Sequence, residues 1–198
     1  MKKIVTIDFD IIMHPSIDIY NDSDLTVDEF LLKHESTLGW MAADLELYRE
    51  LTNFILSFDY DKIKFIYDHH DIVEEIENIT EKIELYNIDY HHDIGYNDKV
   101  WTIKLQDYDE GNWVRKLWEN NKLKSYTWLR HYNSSDVSEK DKKFLTDKHF
   151  LIDESFIKAY MLDDLKDADE LYISRSSPWV PSYYIHLYEL WEDLTNMK

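Results

Sequence analysis

The chain has no cysteine and only three glycines and three prolines in 198 residues. The missing cysteine excludes disulfides, a thiolate nucleophile and any sulfur-ligated soft-metal site. With so little Gly and Pro, most connections must be turned by Asn, Asp and Ser, whose side chains bond their own backbone. No apolar run reaches the length of a membrane span, and the opening Met-Lys-Lys-Ile leads into a strand pattern rather than a signal peptide. Positive charge is also short: 22 Lys and Arg face 41 Asp and Glu, a formal charge of −19. Such a field repels nucleic-acid backbones and anionic lipid, so neither nucleic acid nor membrane is expected as a partner. It attracts cationic ligands or metal ions, although simple solubility gives the same imbalance. A cytoplasmic protein is expected.

What is present points to one folded domain over residues 1–198. The chain is 44% hydrophobic and 15% aromatic, with seven Trp and fifteen Tyr, which excludes a disordered polymer. Short β-branched runs predict strands at Lys3–Asp8, Lys64–Tyr67, Glu84–Ile88, Tyr126–Leu129 and Glu170–Ser174. Helical spacing predicts helices over Trp40–Phe58, Asp71–Thr80, Asn112–Glu119 and Phe156–Leu165. A further one after Pro181 carries Tyr184, Leu187, Leu190, Trp191 and Leu194. Strands alternating with helices predict an α/β fold, a three-layer sandwich around a mainly parallel sheet.

Three of these strands run into acidic and histidine clusters: Asp8-Phe9-Asp10, Asp68-His69-His70-Asp71 and Asp89-Tyr90-His91-His92-Asp93. Ligands of open parallel sheets bind outside the carboxyl ends of the strands, so the three clusters can share one site. An isolated Asp-x-Asp is more often a cap and a turn residue. Three clusters of carboxylate and imidazole at strand ends are harder to explain that way. If the backbone stays extended, Asp8 and Asp10 face one side with Phe9 opposite. Likewise Asp89, His91 and Asp93 face one side, with Tyr90 and His92 turned away. One of His69 and His70 is expected to ligate, its neighbour serving as support or surface. Oxygen and imidazole donors without sulfur suit manganese first, with zinc or iron as alternatives. The carboxylates exceed the needs of one ion, and shared ones can hold two ions roughly 3.5–4 Å apart.

The Asp89-x-His91-x-Asp93 cluster, preceded by Asn87-Ile88, resembles the metal motif of the arginase and agmatinase superfamily. Asp68-His69 resembles its upstream Asp-His, and Thr6-Ile7-Asp8-Phe9-Asp10 its Ser-x-Asp-x-Asp motif. The last motif opens this chain instead of closing it, so the order is circularly permuted. The small atypical branch that includes the peptide arginases is the nearer match. Its Ser-Arg-Ser segment, followed by Pro, is similar to Ser174-Arg175-Ser176 and Pro178. The resemblance implies an arginase- and deacetylase-like fold holding two Mn2+ ions. His69, Asp89, Asp93 and Asp8 would hold the first ion, and His91 and Asp10 would complete the second, with Asp89 and Asp8 bridging. It implies hydrolysis of arginine side chains in a precursor peptide to ornithine and urea. A metal-bridging hydroxide would be the nucleophile, and Asp10 and Asp93 the catalytic carboxylates.

The pattern departs from the superfamily after Asp10, where Ile11-Ile12-Met13-His14-Pro15 replaces the usual Asp-Pro, and before Asp68, where Ile66-Tyr67 replaces a Gly pair. Glu29, Glu35, Asp98 or Asp109 are candidates for a guanidinium contact, and Trp101, Trp113, Trp128 and Trp179 for stacking on it. His14, His131 and His149 are candidate proton shuttles, with plain surface or core histidines as the alternative. Arg175 reads as an internal charge partner. Two other functions compete. Asp68-His69-His70 spells the signature of the two-manganese Asp-His-His phosphoesterases, but three glycines cannot build their Gly-rich second domain. The other is a non-catalytic, metal-stabilised binder of a basic peptide.

Overall fold

The computed structural model describes residues 1–14, 42–95, 108, 111–134, 136–137, 139–147, 149–176, 180 and 182–197. In chain order the elements are β1 (Lys2–Asp8), a 3-10 turn at Phe9–Ile12, β2 (Met13–His14), β3 (Ala42–Ala43) and α1 (Leu45–Ile55). Next come β4 (Ile63–Ile66), a 3-10 turn at His69–Asp71, α2 (Ile72–Glu77), β5 (Ile83–Asp89), α3 (Trp113–Glu119) and β6 (Leu123–Arg130). The chain continues through α4 (Glu139–Asp147), β7 (Ile152–Phe156), α5 (Ala159–Asp163), β8 (Glu170–Ser174) and α6 (Ile185–Asn196). Six strands form one sheet in the order β4-β8-β1-β5-β6-β7, every neighbouring pair parallel. β2 and β3 pair antiparallel on their own.

Alternation along β1 explains the layering. Val5 and Ile7 enter one apolar core with Leu51 and Phe54 of α1, Leu162 of α5 and Trp191 of α6. Ile4 faces the opposite core, with Val73 and Ile76 of α2, Trp113 and Leu117 of α3 and Leu145 of α4. A central strand covered on both faces needs apolar residues on both, which is why Ile4, Val5 and Ile7 are all fully buried. This is the expected three-layer α/β sandwich.

Several predicted elements change. The helix predicted from Trp40 to Phe58 runs only from Leu45 to Ile55. Asp44 caps it, its Oδ1 accepting from Glu46 N at 3.0 Å and Leu47 N at 2.9 Å; Trp40 lies outside the described residues. The helix predicted over Phe156–Leu165 is α5 alone, because Phe156 ends β7 and Ile157 N donates to Arg130 O at 2.8 Å. The stretch predicted helical over Asp71–Thr80 is α2, shorter at both ends. On α6 the buried stripe is Tyr188, Trp191 and Thr195, with Leu190 exposed. The sequence reading missed β7 and α4. As a sheet edge with Asp153 and Glu154 in the middle, β7 carries the charge that edges use against aggregation and lacks the apolar run that betrays a buried strand. No helix among the described residues is long and apolar enough to cross a membrane.

Candidate metal centre

The sheet order brings the clusters together. β1 and β5 are neighbours, with Ile7 opposite Ile88, so Asp8 and Asp89 stand side by side at their carboxyl ends. β4 is two positions away, across β8, and the chain beyond it delivers His69 on its 3-10 turn. All six predicted ligands are among the described residues and all six meet here.

The backbone route differs from the expected extended one. After Asp8 the chain winds into the Phe9–Ile12 turn, which carries Asp10. Phe9 anchors that turn edge-on to Trp191 at 5.2 Å and to Tyr188 at 5.7 Å. After Asp89 the chain also turns. His91 N donates to Asp89 Oδ1 at 2.8 Å, and Asp93 sits at φ 52°, a left-handed conformation that Asp tolerates better than most residues. The turn, not strand alternation, returns Asp93 to the site. Tyr90 and His92 do point elsewhere. Tyr90 OH donates to Asn133 O at 2.8 Å, and His92 packs edge-on to Trp128 at 5.6 Å.

The donor atoms fall into two groups. His69 Nδ1 lies 3.2 Å from Asp89 Oδ2, 3.2 Å from Asp93 Oδ2 and 3.5 Å from Asp8 Oδ2. His91 Nδ1 lies 2.9 Å from Asp10 Oδ2 and 3.8 Å from Asp89 Oδ1. Asp8, His69 and Asp89 each offer a ligand atom within 4.8 Å of the others, and so do Asp10, Asp89 and His91. Asp89 belongs to both groups, one oxygen towards each histidine.

Convergence without hydrogen bonding argues that a cation fits. His69 Nδ1, Asp8 Oδ1 and both oxygens of Asp10 are buried and make no hydrogen bond, despite the short distances. A buried polar atom left in that state costs about 1–3 kcal/mol, and a divalent ion would satisfy several at once.

Neighbouring side chains hold the ligands. Thr6 Oγ1 lies 2.6 Å from His69 Nε2, which leaves Nδ1 for the carboxylates. Trp113 Nε1 donates to Asp93 Oδ2 at 2.7 Å, and Asn87 Nδ2 to Asp89 Oδ2 at 3.2 Å. Ser176 Oγ donates to Asp8 Oδ2 at 3.1 Å, which ties the Ser-Arg-Ser segment to the centre. The sequence reading gave these four residues no such role. For Thr6 and Asn87 a signal existed, since each stands two residues before a ligand on the same side of its strand.

Other predicted participants fall elsewhere. Glu29, Glu35, Asp98, Asp109, Trp101, Trp179 and the His14 side chain lie outside the described residues. Trp113 and Trp128 are buried with their indole N–H groups already donated, Trp128 to Asp89 O at 2.9 Å, so neither is open for stacking on a guanidinium. His131 is fully buried beside Tyr90, its Nε2 3.8 Å from Asp44 Oδ2, while His149 is exposed. Arg175 lies over the Tyr67 ring at 5.7 Å, and its charge acts on Glu192. Asp71 Oδ2 accepts from Asp68 N at 3.1 Å, and the His70 ring sits 5.9 Å from that of Tyr108. Of the Asp-His-His triplet, only His69 joins the donor groups.

The ligands bear on one another's ionisation. Burial, reinforced by Asp8, pushes the Asp10 carboxyl up to about 7. Burial and Asp89 raise Asp93 well above the carboxylate range. Burial alone would lower His91, but Asp10 and Asp89 outweigh it and hold the imidazole at about 10; His69 is raised likewise, by Asp8 against burial. Each raised group favours folding while protonated. For Asp10 that contribution disappears between its ordinary 3.8 and about 7, and for His91 between 6.5 and about 10. His92, which burial lowers to about 3, gains stability over the same acid range and offsets Asp10. Metal-free protein should therefore lose thermal stability mainly from about pH 6.5 to pH 10. Saturating manganese should flatten the slope above neutrality, where the ions replace the protons. A melting series at several pH values, with and without metal, checks this; identical slopes would argue against ligation.

The chain matches no family model, no curated protein and no solved structure.

Proposed function

We propose that this protein is a binuclear-metal hydrolase that cleaves the guanidinium group of arginine side chains in a peptide, giving ornithine and urea. The observation that carries the hydrolase reading is Asp89, fully buried and shared between two Asp/His donor groups at the carboxyl ends of adjacent parallel strands. Two ions held by these residues would supply Lewis acidity and make water a nucleophile near neutral pH.

The chain's own groups do the rest. Asp89, with one oxygen towards each histidine, would serve both ions, and Asp8 would serve the ion beside His69. With ions bound, Asp10 and Asp93 would be the carboxylates that take a proton from water and pass it to the departing amine. The new C–O bond forms at the guanidinium carbon as its bond to the side-chain nitrogen breaks, and the proton leaves with the amine. The guanidinium substrate rests on the resemblance of the three ligand motifs and on the −19 charge, which favours a cationic peptide. The phosphoesterase reading has less support, since Asp68 and His70 stand apart from the donor groups.

Manganese-loaded protein incubated with an Arg-containing peptide should release urea and leave ornithine in the peptide, and a Lys-substituted peptide should give nothing. Phosphate release from a phosphoester would favour the phosphoesterase, and binding without turnover a non-catalytic receptor. Either result would overturn the proposal.

A further inference from the structure

Arg175 stands at the edge of the candidate metal centre without a carboxylate of its own, and we propose that its guanidinium binds a carboxylate of the peptide whose arginine enters that centre. This rests on the peptide reading above and concerns what else of the peptide the protein recognises.

The chain has four arginines. Arg49 pairs with Glu46, Arg115 with Glu119 and Arg130 with Asp136. The Arg175 side chain makes no ion pair and no hydrogen bond among the described residues, and its Nε is buried in that state. Its charge reaches Glu192 and the Tyr188 hydroxyl, but neither bonds it. In a chain with 41 acidic residues against 22 basic ones, a partner was easily supplied. A buried donor without one is costly unless a ligand completes it.

The backbone on either side is fixed. β8 lies between β4 and β1, and beyond its carboxyl end Arg175 N donates at 3.2 Å to the carbonyl of Ile66, the last residue of β4. The next residue, Ser176, sits at φ 53° and donates through Oγ to the ligand Asp8 at 3.1 Å, while its N donates to Ser174 Oγ at 3.3 Å. Arg175 is thus one residue from a contact to a ligand. Its guanidinium lies over the exposed Tyr67 ring at 5.7 Å, which supports the cation without using any of its N–H donors.

Those donors form a planar fork that matches a carboxylate bidentately. A substrate arginine would be repelled by Arg175, so the group it binds is an anion. A peptide supplies one in an acidic side chain near its arginine or in its C-terminal carboxylate. The acidic centre would take the cationic side chain and Arg175 the carboxylate, and two opposite charges fix the peptide's direction.

Calorimetry of manganese-loaded protein with capped peptides that contain one Arg tests this. Glu is placed at each neighbouring position in turn, against Gln at the same position, and the neutral peptide is also offered with a free C-terminal carboxylate. One placement should bind ~10-fold more tightly than its neutral counterpart. A side-chain source shows in the Glu series, a chain-end source in the uncapped peptide. Arg175→Gln should erase the preference, and Arg175→Lys, which keeps the charge without the fork, should retain only part of it. Melting curves establish that the variants fold; if the Gln variant does not, the partial loss in the Lys variant decides. No carboxylate preference in the wild type, or one that survives in Arg175→Gln, would overturn the proposal. So would tighter binding of phosphoserine at the same position, which would assign the arginine to phosphate. Urea release is followed separately: a carboxylate preference without urea would sustain the subsite and overturn the hydrolase reading alone.

Discussion

Replacing Asp89 with Ala should remove both metal ions together and lower turnover by ~10³-fold or more. Asp89 is fully buried at the end of β5, and each of its oxygens serves a different histidine. Removing it opens both donor groups at once, whereas His91→Ala opens only one. Bound ions contribute several kcal/mol to hydrolytic rates, and each 1.36 kcal/mol is a factor of ten. Asp89 Oδ1 also closes the turn that carries His91, so the variant loses a positioning contact along with a ligand. Metal content after dialysis, measured by mass spectrometry for wild type, Asp89→Ala and His91→Ala, should read two, none and one. A dialysed Asp89→Ala protein that keeps two ions would remove Asp89 from the site.

Trp191→Ala should destabilise the core by about 3–5 kcal/mol. The indole is buried, stacks on Tyr48 at 5.1 Å with the planes 7° apart, and donates to Thr52 Oγ1 at 2.7 Å. Truncation leaves a cavity and removes the donor to Thr52 Oγ1, which keeps only its own bond to Tyr48 O at 2.7 Å. For a chain of this size each kcal/mol moves the melting temperature by about 2–4 °C, so a fall of roughly 6–20 °C is expected. The damage should also reach the site, because Trp191 packs edge-on to Phe9, the residue between Asp8 and Asp10. Manganese affinity should therefore drop in Trp191→Ala and largely recover in Trp191→Phe. A destabilised variant with unchanged affinity would disconnect this core from the ligand turn.

The parts of this fold legible in the sequence were those dictated by burial on both faces. β1, β5 and β8 are apolar or β-branched runs that stop at a polar residue, and that stop marks the carboxyl edge where the ligands stand. β7 escaped because a charged edge strand lacks that contrast. In the candidate site, the Asp and His side chains and their strand-end positions are legible, while the backbone that delivers them is not. Asp89, His91 and Asp93 looked alternate along an extended chain, yet a turn with Asp93 left-handed brings them together. Thr6 and Asn87 could have been read from their two-residue offset. Trp113, 20 residues from Asp93, and Ser176, 168 residues from Asp8, depend on tertiary packing that no local spacing encodes.

The most direct measurement is anomalous X-ray scattering at the manganese edge from crystals of the metal-loaded protein. Two peaks roughly 3.5–4 Å apart, flanked by His69 and His91 with Asp89 between them, are expected. A single peak, or none within reach of Asp89, would contradict a binuclear centre.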